Sequence, residues 1–139
     1  MPNDPRRLAV ADLTVRLSAG LARQARAYEA AAERAGSPLR QALEGLGRAK
    51  HTQAADLAPL ARAFEVPTPT VPSETRAESS ADWGVILGEA YQGERALDGT
   101  ARELAGLTTD TAVRALALRL ATGTGSDGGE VRKLYLRYS

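Results

Sequence analysis

Lys50 and Gln53 interrupt an otherwise apolar series, Leu39, Leu43, Leu46, Leu57, Leu60 and Phe64, whose three- and four-residue steps trace one face of a helix. A shift of 74 residues carries this pair onto Thr124 and Asp127, which interrupt a second series: Val113, Ala117, Leu120, Val131, Leu134 and Tyr138. Polar groups at the centre of a small helical core mark a site or a device that fixes specificity. Level-matching across the helix turns sets Leu21 beside the first break and Glu94 beside the second.

Other chemistries are excluded by composition. The chain has no cysteine, which removes thiolate zinc sites, disulfides and cysteine nucleophiles, and its one histidine, His51, cannot build a multi-histidine metal site alone. Eighteen basic and 17 acidic residues give a net charge of +1, with no basic stripe interleaved by aromatics. There is therefore no electrostatic case for nucleic acid or anionic lipid. The first residues, Met1-Pro-Asn-Asp-Pro-Arg-Arg, lack the apolar core of a signal peptide, and no run approaches membrane-spanning length. The expected location is the cytoplasm, with no membrane contact.

These residues must be positioned by helices. Hydrophobic residues make up 43% of the 139 and charged residues 25%, which suits one soluble domain with a single core. Strong helix formers dominate, and aromatic content is 4%. The first helix is expected over about 5–35, N-capped by Asp4 and stopped by Gly36, with Val10, Leu13, Leu17, Gly20/Leu21, Gln24, Tyr28 and Ala31 inward. The second is expected over about 38–64, capped by Ser37 with Pro38 in its first position, and with Pro59 kinking its last turn. The third is expected over about 81–105, closed by Gly106, with Ile86, Ala90, Gly93, Leu97, Thr100/Ala101 and Leu104 inward. The fourth is expected over about 109–138, starting at Thr109-Asp110. Its middle, 123–129, holds four glycines, each costing about 1 kcal/mol relative to alanine in a helix. The apolar phase survives from Leu120 to Val131, nearly three turns, which favours one continuous helix over a loop.

Residues 65–80 contain three prolines and no helical period, and read as an extended connection. About 16 extended residues reach roughly 50 Å at ~3.3 Å each. A helix of about 26 residues spans only about 39 Å at ~1.5 Å per residue. The connection can therefore return along the whole bundle, leaving helix three parallel to helix two. The expected fold is an all-α four-helix bundle of ferritin-like topology, a single domain over 1–139, with a long crossover between helices 2 and 3. The two halves also align with each other. The 74-residue shift sets Leu46 on Leu120 and Leu57 on Val131, while a shift of 73 sets Leu13 on Ile86, Gly20 on Gly93 and Leu21 on Glu94.

The stretches Tyr28-Glu-Ala-Ala-Ala, His51-Thr-Gln-Ala-Ala-Asp-Leu57, Gln92-Gly-Glu-Arg-Ala-Leu97 and Val113-Arg-Ala-Leu resemble the rubrerythrin and ferritin-like superfamily, nearest to its short bacterial members of unknown function. In the metal-binding relatives each odd helix gives a Glu and each even helix a Glu-x-x-His, because two divalent ions in a dry core need oxygen ligands and neutralisation. Carried over position by position, the resemblance puts ligands at Leu21, Lys50 and Gln53 in the first half and at Glu94, Thr124 and Asp127 in the second. Only Glu94 keeps the expected residue; Asp127 is a carboxylate in place of histidine, while Leu21 and Lys50 cannot ligate a metal cation. No metal or other cofactor is expected. Lys50 lies level with Glu94 and near Asp127, so either it is buried as the cation of a metal-free cluster or it snorkels out to pair at the surface.

His51 sits some 100° off the core stripe, away from any metal. A histidine phosphotransfer domain, also a four-helix bundle, usually carries lysine and glycine shortly after its histidine. Here Thr52-Gln53-Ala54-Ala55 follows, and a plain surface histidine is expected. Glu89, Glu103 and Glu130 fit solvated faces. The leading functional expectation is a non-catalytic bundle acting through its surfaces, as a homodimer or with a protein partner. The alternative is a degenerate metal-dependent oxidase with one weak site on Glu94 and Asp127.

Overall fold

Each of the four periodic segments is a helix in the computed structural model of the chain, which describes residues 5–66, 69 and 82–139. They are α1 (Pro5–Arg34), α2 (Leu39–Ala63), α3 (Trp83–Leu107) and α4 (Thr111–Tyr138), and no strand occurs among the described residues. None of these helices is long and apolar enough to cross a membrane. The described residues form a four-helix bundle in which α1 packs on α2 and α3, and α4 packs on α3 and α2.

The directions follow from pairwise contacts. Gln24 of α1 reaches Ala90 of α3, while Gly20 lies against Leu97, so α1 and α3 are antiparallel. The short turn after Arg34 makes α1 and α2 antiparallel as well, so α2 and α3 point the same way on opposite corners. Asp4 and the connection expected over 65–80, apart from Glu65, Val66 and Pro69, lie outside the described residues.

The apolar stripes bury two clusters, one towards each end. Leu13, Leu17, Leu21, Leu57, Leu104 and Leu120 belong to the first; Tyr28, Leu39, Leu43, Leu46, Leu87 and Val131 belong to the second. Full burial of each such leucine contributes about 1.5–3 kcal/mol. Between the two clusters lies the polar level of Lys50 and Glu94.

Several helix ends depart from the expected ones. Ser37 does not cap α2: Pro38, after a cis Ser37–Pro38 bond, takes the N-cap position with no side-chain cap, and Arg40 N–H donates to Gly36 O at 2.9 Å. Pro59 lies within α2, which continues to Ala63. The C-terminus of α2 is closed by bonds from Glu65 N–H to Arg62 O and from Val66 N–H to Ala61 O, with Glu65 in the left-handed region at φ 56°. Trp83 begins α3, capped by Asp82, whose side chain accepts from Val85 N–H. Gly106 does not end α3. The helix runs one residue further because Ala105 is buried and Arg114 reaches across to the carbonyls of Ala105 and Thr108. Near its start the buried position is Leu87 rather than Ile86, which is half-buried. Asp110 caps α4 through Ala112 and Val113 N–H, and 123–129 is helical throughout.

Candidate functional site

Lys50 stands at the centre of the bundle because the leucines on either side of it, Leu46 and Leu57, bury the same face of α2. Its side chain has no exposed surface. The ammonium Nζ donates to Glu94 Oε1 at 2.6 Å and lies 3.0 Å from Asp127 Oδ2. Glu94 comes from the inner face of α3 and is fully buried; Asp127 comes from α4 and keeps 16% of its side chain exposed. The snorkelling alternative is not the geometry adopted.

The second oxygen of Glu94 faces α1. Tyr28 donates its hydroxyl to Glu94 Oε2 at 2.5 Å. Gln24 Nε2 lies 3.2 Å from that hydroxyl and 3.4 Å from Oε2, and makes its shortest bond, 2.8 Å, to Ala90 O. These neighbours are admitted by missing side chains. A Cβ on Gly93 would fall 2.2 Å from Gln24 Oε1, and one on Gly123 would fall 2.8 Å from Gln53 Nε2. Gln53 donates to Asp127 Oδ2 at 3.0 Å, while its buried Oε1 finds no partner among the described residues.

Electrostatics within the cluster oppose one another. Burial raises the Glu94 pKa above its usual 4.5, the Lys50 ammonium and the Tyr28 hydroxyl pull it back, and Asp127 adds to the rise; the net direction is upward. Burial, then the neighbouring Glu94 charge, raises the Tyr28 phenol, which stays a hydrogen-bond donor. One ammonium thus faces two carboxylates, with a phenol supplying the last donor to the buried one.

The six positions read as ligand sites divide in two. Lys50, Glu94, Asp127 and Gln53 converge through the contacts above. Leu21 and Thr124 do not join them: Leu21 is buried in the apolar cluster, and the Thr124 hydroxyl turns back to Leu120 O and Ala121 O of its own helix. Among the described residues there is no group of three or more His, Cys, Asp or Glu side chains that could hold a metal ion. The residues present therefore do not fit a pair of metal ions: one ligand position is alkyl, one is a cation, and one is a hydroxyl committed to its own backbone. His51 is exposed and lies 2.8 Å from Glu29 Oε2; Glu89, Glu103 and Glu130 are exposed too.

Tyr28 and Gln24 are the site residues that periodicity alone does not single out. Both sit in the inward stripe of α1 four residues apart, and that polar pair facing a buried carboxylate was the available signal. Comparison with family models, with curated proteins and with solved structures gives no match for this chain.

Proposed function

We propose that the chain is a ferritin-like bundle whose central cation is its own Lys50 ammonium, and that it is a non-catalytic cytoplasmic protein acting through its surfaces, as a homodimer or with a protein partner. The observation that carries this reading is the placement of Lys50 Nζ at 2.6 Å and 3.0 Å from the two carboxylates that converge at the bundle centre. A metal ion there would have to displace a buried cation and then find, among the described residues, only Glu94 and Asp127 as carboxylates. The shared direction of α2 and α3 supports a crossover of ferritin-like type.

Metal analysis of protein purified without chelator tests the reading. Iron, manganese and zinc should each be well below one equivalent. Two equivalents of iron with oxidase turnover would overturn it. One equivalent lost together in Glu94→Gln and Asp127→Asn would instead establish a weak carboxylate site.

A further inference from the structure

Behind Glu94, on the outer side of α3 and α4, lies a cleft of about 290 Å³. Tyr91 and Arg95 line it from α3 and Arg132 from α4, with the backbone of Gly125 and Gly129 between. Gly93 and Gly123 are accounted for by the side chains packed on them. Gly125 and Gly129 are not, because a Cβ on either would meet nothing within 4 Å. Glycine at these positions weakens the helix without relieving any internal clash. It does leave the α4 backbone open to close approach from outside.

The charges on the cleft point one way. Asp98 at its edge is held by Arg102 at 3.2 Å, and Glu94 turns both oxygens inward to Lys50 and Tyr28. Arg95 lies over the Tyr91 ring at 6.0 Å, and neither Arg95 nor Arg132 has an ion-pair partner among the described residues. Two guanidinium groups therefore border an open floor with no unpaired carboxylate among the described residues. Guanidinium forks match carboxylate and phosphate oxygens in pairs, and the volume is at the small end for organic ligands. We propose that this cleft binds a small organic oxyanion, a phosphate monoester or a carboxylate with a flat body. Arg95 and Arg132 hold the charged end, and the body lies over Gly125 and Gly129 beside Tyr91.

Calorimetric titration of the full chain at low salt, with phenyl phosphate in one arm and benzoate in the other, tests the proposal and distinguishes the two oxyanions. Binding of either should weaken about tenfold or more in Arg132→Gln, as expected for loss of a charge-assisted contact. The double variant Gly125→Ala/Gly129→Ala should lose binding while its Tm rises by several degrees, since two helix-weakening glycines are removed and the floor is filled. That rise shows the variant is folded, so lost binding reports the cleft. If neither probe binds the parent chain, or if binding survives unchanged in both variants, the proposal is wrong.

Discussion

Two corners of the bundle centre are built on matching backbone and filled with opposite chemistry. A shift of 73 residues exchanges Gly20 with Gly93, Leu21 with Glu94, Gln24 with Leu97 and Tyr28 with Ala101. The structure repeats the exchange in space: Leu97 lies over Gly20, and Gln24 lies over Gly93. At one corner the equivalent positions hold Tyr28, Glu94 and a buried lysine; at the other they hold Ala101 and Leu21, members of one apolar cluster. The architecture thus closes as well on alkyl groups as on ions. The charged corner is a property of particular side chains, and the backbone does not demand it.

The largest expected effect comes from making the charged corner half-apolar. Glu94→Leu copies the Leu21 side, but it strips Tyr28 of its acceptor and leaves Lys50 with Asp127 alone. Breaking a buried pair in this way should cost about 3–5 kcal/mol in urea unfolding. Adding Lys50→Met removes the stranded cation, and the double variant should return to within about 1–2 kcal/mol of the parent or exceed it. A double variant as unstable as Glu94→Leu would show that the two corners are not interchangeable.

A smaller effect separates the corners by pH. The folded-state pKa of Glu94 lies above its ordinary value, so its contribution to stability is complete below the unfolded pKa and declines as pH rises through the folded one. Lys50 lowers that folded pKa, so Lys50→Met raises it further and moves the decline towards neutrality. At about pH 5 Lys50→Met should match or exceed the parent. Towards pH 8 it should fall behind by about 1.4 kcal/mol for each additional pKa unit. Thermal melts of both proteins across that range should therefore diverge. Parallel curves would mean that the Lys50 charge is not felt by Glu94.

The comparison also explains what could be read in the sequence. Lys50, Gln53, Thr124 and Asp127 are legible because each breaks an apolar helical stripe at its middle, and Glu94 follows by level. The continuous helix through 123–129 is legible because the phase from Leu120 to Val131 outlasts the glycines. What escapes is set by contacts between helices. Arg114 reaches back to two carbonyls at the end of α3, so Gly106 does not stop it. The bond from Tyr28 to Glu94 joins residues 66 positions apart; the α1 stripe places Gln24 and Tyr28 inward but does not announce what they meet. Local chemistry also misplaced the start of α2, where Pro38 displaces Ser37 from the cap.

The smallest effect sharpens the comparison at its two glycines. A Cβ on Gly20 would fall 2.8 Å from Leu97 Cδ2, the flexible end of an alkyl side chain. Gly20→Ala should therefore be close to neutral, since overpacking of about 1–3 kcal/mol is offset by about 1 kcal/mol of helix propensity and eased by rotation of Leu97. A Cβ on Gly93 would push Gln24 off Ala90 O and away from Tyr28. A buried amide losing its partners costs about 1–3 kcal/mol, so Gly93→Ala should be the worse of the two. Gln24→Leu replaces that amide with the side chain found at the matching corner. In the double variant the Gly93→Ala penalty should shrink to that of Gly20→Ala, a coupling of about 1 kcal/mol in a double-mutant cycle by urea unfolding. Strict additivity would mean that Gln24 is not what holds Gly93 as glycine, and the spatial match between the corners would then end at the backbone.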